Sequence, residues 1–173
     1  AYCDRISHFV KEKELPVIIG FGEELGGQRR RMVDGEVEAY GLIDLLAVSE
    51  AVVVTSVQEG FGYAFHEPWL AGKAVLGRDI PTVTQDFVNA GLRLDHLYRR
   101  LLIPKTWVAG AYAGLVQAYV DKSRRLHEAA NLRLPSAEQL REEFERAKIF
   151  RPAEFTEPMI DFADLDVTTQ LSI

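Results

Sequence analysis

Residues 51–55 read Ala-Val-Val-Val-Thr, a run of small and β-branched residues with no polar alternation. A strand that alternates keeps one wet face. One that does not is expected to be buried on both faces, as in parallel sheets covered by helices above and below. The sequence after the run narrows the choice further. Glu59-Gly60-Phe61-Gly62 supplies a glycine-rich loop, the stretch to Ala71 has helical character, Gly72 suits a left-handed helix end, and residues 74–76, Ala-Val-Leu, form a second buried run. Strand, loop, helix and strand in that order predict a parallel pair joined by a crossover helix.

The rest of the chain continues the alternation. Residues 2–13 set Ile6, Phe9 and Val10 at helical spacing, and residues 16–20, Pro-Val-Ile-Ile-Gly, are expected as a buried strand closed by glycine. Residues 31–33 suit a short strand before a turn at Asp34-Gly35, after which Val37, Tyr40, residues 42–46 and Val48 suit a helix. Asp79-Ile80-Pro81 reads as a turn, residues 82–90 as a helix closed by Gly91, and a further strand is expected within 98–103. A long helix over 106–130 carries Val108, Tyr112, Leu115, Val116, Tyr119 and Val120 on one face. Ser136 with Gln139 has the form of a capping box opening a charged helix over 137–149. Residues 150–173, with Pro152, Pro158 and five acidic side chains from Glu154 to Asp166, read as an irregular strap lying on another surface. The fold class expected is therefore α/β: a Rossmann-like parallel sheet with helices on both faces over 1–130, then a helical and irregular extension over 131–173.

Composition excludes several alternatives. In 173 residues, 47% are hydrophobic and 27% charged, the usage of an ordinary packed domain rather than a disordered chain. The formal net charge of −6 argues against nucleic acid as the main ligand, because phosphate backbones are held by Lys and Arg. The basic run Arg29-Arg30-Arg31 reads as a solvated turn. No apolar stretch approaches the roughly 20 residues of a membrane span, and the expectation is a soluble, cytoplasmic protein. A single cysteine and four scattered histidines offer neither an internal disulfide nor a structural-zinc spacing. The chain opens at Ala1 directly into helical sequence and is expected to be a piece of a longer protein.

The chemistry concentrates after the first buried strand. In parallel sheets ligands gather at the carboxyl ends of strands, where loops feed helix N-termini. Gly60 and Gly62 let backbone amides approach a ligand, and the helix start that follows offers unpaired N–H donors. That combination suits phosphate and sugar hydroxyls. Glu67, within the helix, carries a carboxylate able to accept two hydrogen bonds from vicinal hydroxyls, the usual grip on a ribose. Glu59 and Glu67 are separated by seven residues, a spacing that means little alone and gains weight from the order of elements around it.

The run EGFGYAFHEPWLAGKAVLGRDIP, residues 59–81, resembles the signature of retaining glycosyltransferases of the GT-B fold, group 1 type. The likeness is clear over residues 15–81 and continues beyond them in segment order only. It implies the donor-binding, C-terminal half of a two-domain hexosyltransferase-type enzyme with no resident metal or cofactor. The donor substrate would be a nucleoside diphosphate sugar, held in the cleft against an N-terminal acceptor-binding domain that this chain lacks. Glu67 would bind the ribose hydroxyls, Glu59 would face the donor sugar as the catalytic carboxylate, and the backbone of Gly60, Phe61 and Gly62 would meet sugar hydroxyls or phosphate. The turn Ile18-Ile19-Gly20-Phe21-Gly22 matches the family's glycine loop, bringing Gly20 and Gly22 to the nucleotide. The family's phosphate-binding basic pair precedes Ala1, so this piece alone is expected to bind donor without turnover.

Other residues in the motif have plainer readings beside the functional one. Lys73 and Arg78 are either phosphate contacts or charges flanking a strand, and His66 is either a ligand contact or a hydrogen-bonded structural histidine. Phe61, Phe65 and Trp69 are expected in the core. Two rival functions stand beside the transferase: another nucleotide-sugar enzyme of the same fold, such as a phosphorylase or epimerase relative, and a non-catalytic interaction module that keeps the sheet.

Overall fold

Tyr2–Glu12 form α1 in the structure, a computed structural model that describes residues 2–20 and 29–173. The helix stops at Glu14, left-handed at φ 50°, where the Glu14 and Leu15 amides return to the Lys11 and Val10 carbonyls. These are the paired bonds of a Schellman stop, with glutamate in the place glycine usually holds. Residues 16–20 do not form the expected strand, and Val17, Ile18 and Ile19 are exposed. Apolar composition alone is insufficient, since a strand's amides and carbonyls need a neighbour to bond, and among the described residues no strand pairs with this one.

The first of two compact units spans Ala1–Arg99. Arg31–Val33 (β1) and Glu36–Ala39 (β2) pair antiparallel across Asp34 and Gly35, which sit at φ 50° and 85°. Two consecutive left-handed residues make a type I′ turn, whose twist matches a two-residue hairpin. The turn sets Glu36 opposite Val33 and corrects the helix expected from Val37, so that α2 begins only at Leu42–Val48. Asp44 accepts the Gly41 amide at 2.9 Å and fixes that start.

The motif region follows the expected order. Ala51–Val54 (β3) and Ala74–Gly77 (β4) pair in parallel, with Val52 beside Val75 and Val54 beside Gly77. Tyr63–Leu70 (α3) crosses between them, and Pro81–Asn89 (α4) follows. Val54, Phe65, Val75, Ile80, Val83 and Leu97 close one core. Contrary to the sequence reading, the pair is not buried on both faces. Val53 is 68% exposed and Leu76 is 47% exposed, because α3 and α4 cover the side of Val54 and Val75. Beyond β4 the ladder continues as a single parallel bridge from Arg78 to Tyr98. The described residues thus form a mixed α/β fold with one two-stranded parallel sheet, not an extended one.

The second unit, Arg100–Ile173, is built on an antiparallel sheet. Leu102–Pro104 (β5) leads through a 3-10 turn at Lys105–Val108 into the long helix α5, Tyr112–Ala129. Ala137–Lys148 (α6) opens on the expected capping box, the Ser136 hydroxyl accepting the Gln139 amide and the Gln139 side chain accepting the Ser136 amide. Ile149–Phe150 (β6) and Met159–Asp161 (β7) complete the sheet in the order β5-β7-β6. This corrects the irregular strap: β7 is the central strand, all three of its residues are buried, and a short α7 at Val167–Gln170 ends the chain. Ile160 packs in a core with Ile103, Val108, Leu115, Phe144, Ile149 and Leu165.

One polar knot ties this unit together. The Tyr112 hydroxyl donates to Glu145, Lys105 Nζ donates to the same carboxylate at 3.2 Å, and the ammonium lies 3.8 Å from the centre of the Tyr112 ring. Burial, followed by the contact with Glu145, pushes the Tyr112 phenol well above its ordinary range. For Glu145, burial works upward but is outweighed by the Tyr112 and Lys105 hydrogen bonds and by the charges of Lys105 and Arg151, so its carboxyl titrates below the usual value. No helix of the described residues is long and apolar enough to cross a membrane.

Candidate functional site

Beyond Val54 the chain leaves β3 through Thr55 and Ser56, and both line a cleft of about 300 Å³. Its other walls include Leu46 of α2 and Ala64, Glu67 and Pro68 of α3. The position of Glu67 follows from where α3 starts. Gly62 is left-handed at φ 72°, and its carbonyl accepts the Phe65 and His66 amides at 2.9 and 3.0 Å. A Cβ on Gly62 would lie 2.4 Å from Val83 Cγ1, so both backbone angle and space require glycine. With the first turn fixed, Ala64, Glu67 and Pro68 fall three and four residues apart on one face and reach the cleft together. Pro68 is tolerated inside the helix: it removes one amide, and the Ala71 amide still bonds the Glu67 carbonyl at 3.0 Å.

The cleft therefore combines an exposed carboxylate with two hydroxyls at a strand's carboxyl end, over a floor of valine and leucine. A carboxylate accepts only, whereas hydroxyls both donate and accept, a set matched to a ligand rich in hydroxyl groups. Glu67 was singled out from the sequence, whereas the hydroxyls of Thr55 and Ser56 were not. The signal available was their position at the end of the buried run.

Other expected site residues are distributed differently. Glu59 is half-buried and Gly60 and Phe61 are exposed in the loop between β3 and α3, but none of the three, nor Gly62, lines the cleft. Phe61 is not in the core as expected: it is 80% exposed and lies 6.0 Å, ring to ring, from exposed Tyr63. Phe65 is fully buried, and Trp69 packs edge-on to Phe87 at 5.2 Å. Gly20 is exposed, at φ 78°, away from the cleft lining, and Phe21 and Gly22 lie outside the described residues.

The cations of the motif are engaged elsewhere. Lys73 Nζ donates to the Ala47 carbonyl at 2.9 Å, clamping the start of β4 to α2. An Arg78 guanidinium nitrogen donates to the Arg99 carbonyl at 2.9 Å, and its plane lies near the Tyr98 ring. Both favour the strand-flanking reading. His66 packs against Phe87 at 5.2 Å with Nε2 buried and unbonded, so it is a packed aromatic rather than the hydrogen-bonded histidine expected. Among the described residues no group of three or more His, Cys, Asp or Glu side chains is arranged to hold a metal ion. The chain matches no family model, no curated protein and no solved structure.

Proposed function

We propose that this chain is the donor-binding domain of a retaining glycosyltransferase, taking a nucleoside diphosphate sugar at the carboxyl end of β3. The observation that carries the reading is Glu67 on the wall of a cleft floored by a parallel strand and rimmed by Thr55 and Ser56. The β3-loop-α3-β4 unit is a parallel strand pair joined by a helix, the kind of unit from which doubly wound sheets are built, and ligands of such sheets sit at this end of the strands. In this reading Glu67 accepts hydrogen bonds from the ribose hydroxyls. Glu59 and the amides of Gly60, Phe61 and Gly62 face the sugar and its phosphate. In the complete enzyme the bond between the sugar and the diphosphate breaks with its electron pair leaving on the diphosphate oxygen, a bond to the acceptor oxygen forms with retained configuration, and the acceptor's proton passes to the departing diphosphate. Charge on the departing diphosphate would be met by amides and basic side chains rather than by a metal.

Calorimetric titration with UDP, GDP and ADP tests the reading. One nucleotide should bind, and Glu67→Gln should weaken it roughly 10- to 100-fold, the loss expected for hydrogen bonds to a charged group, with an unchanged melting temperature. The exposed Val53 and Leu76 face of the sheet favours a second reading, a non-catalytic interaction module. It predicts no nucleotide binding, and a Val53→Asp variant that loses association rather than affinity for a small molecule.

A further inference from the structure

The second unit carries a group of cations that the donor reading does not use. Arg141 and Arg146 of α6 and Arg151, just past β6, line an open surface depression of about 530 Å³ with Glu142, Glu145 and Ile149. Helical spacing explains the convergence: 141, 145 and 149 recur every four residues along one row, and 142 and 146 form the row beside it. Such a helix ordinarily closes ion pairs one turn apart, Arg141 with Glu145 and Glu142 with Arg146. Neither pair forms. Glu145 is occupied by the Tyr112 hydroxyl and the Lys105 ammonium. Among the described residues Arg141 and Arg146 make no hydrogen bond or close ion pair, and Arg151 acts on Glu145 through its charge alone.

We propose that these three guanidinium groups form a binding site for a small phosphorylated anion. A guanidinium presents five N–H donors in a rigid fork that matches phosphate oxygens two at a time, and it stays charged at every physiological pH. Glu145 is met by Lys105 and by the charge of Arg151, and with Arg141 and Arg146 beside Glu142 the cations still outnumber the carboxylates here. The chain's net charge of −6 selects the class of ligand further. A polynucleotide would meet the repulsive field of the whole molecule, whereas a compact di- or oligophosphate meets only the local one. The site shares no residue with the Glu67 cleft, so it stands or falls independently of the donor reading.

The test is calorimetric titration of the whole chain with inorganic pyrophosphate at roughly 0.1 M ionic strength, where charges about 10 Å apart already screen one another. Binding should saturate, and Arg141→Gln and Arg151→Gln should each weaken it about tenfold or more. Arg151→Lys should fall between, because the charge remains and the fork is lost. All these positions are exposed, apart from the half-buried Glu145 that is left intact, so melting temperatures should match the parent. Absence of saturation, wild-type affinity in the arginine variants, or displacement of pyrophosphate by a lower concentration of single-stranded oligonucleotide would overturn the proposal.

Discussion

Two neighbouring residues of the loop before α3 separate stability from function. Gly62 is forced into the left-handed region against Val83, so Gly62→Ala should destabilise the chain by about 1–3 kcal/mol in chemical denaturation. Gly60 has open space where a Cβ would stand and no such backbone demand. Gly60→Ala should therefore change stability by less than about 0.5 kcal/mol, and any loss of nucleotide affinity would report contact with ligand. Glu67 belongs with Gly60: as an exposed side chain on a cleft wall it has little to contribute to folding, so its replacement should report on the proposed ligand rather than on stability.

At the scale of elements, the sequence was most informative where local chemistry and pattern agreed. The pair β3 and β4, the left-handed Gly72 and Gly91, and the Ser136 capping box were all legible from a few residues. It was least informative where an element depends on a distant partner. Residues 16–20 have strand composition without a pairing neighbour among the described residues, whereas Met159–Asp161 lie in a proline-flanked acidic tail and still form a central strand, because β5 and β6 supply hydrogen bonds on both edges. The Asp34-Gly35 turn was recognised, but its hairpin geometry outweighed the helical spacing of Val37 and Tyr40. At the site, Glu67 was legible because its helix start is encoded by Gly62. The exposure of Phe61 was not, since aromatic composition alone does not reveal which side of a loop faces water.

The knot joining the 3-10 turn, α5 and α6 carries a pH signature. Glu145 titrates below its ordinary value when folded, so its contribution is present above the unfolded carboxyl's range and is lost as pH falls through it. Tyr112 titrates above its ordinary 10.0, so its contribution is present below that value and is lost as pH rises past it. Thermal stability should decline at both extremes, with Glu145→Gln flattening the acid limb and Tyr112→Phe the alkaline one. Neither variant should abolish its limb, because the Asp166 carboxyl is also lowered, by hydrogen bonds from Thr169 first, and the Tyr119 phenol is also raised, by burial first.

Across the whole molecule, the two units have cores drawn from separate sets of residues. Ile160 is fully buried at the centre of the second. Ile160→Ala should cost about 2–5 kcal/mol there. Hydrogen exchange should report it as lost protection over β5, β6 and β7, while the amides of β3 and β4 keep theirs. Loss of protection in both sheets together would mean that the units unfold as one.

The central claim is that the Glu67 carboxylate recognises ribose at the carboxyl end of β3. The most direct measurement is a double-mutant cycle in which the nucleotide that binds, chosen from UDP, GDP and ADP, and its 2′,3′-dideoxy analogue are each titrated into the parent chain and into Glu67→Gln. The parent should favour the ribonucleotide by roughly tenfold or more, and this preference should disappear in the variant. A preference that survives the loss of the carboxylate, or a parent chain that binds neither nucleotide, would contradict ribose recognition by Glu67.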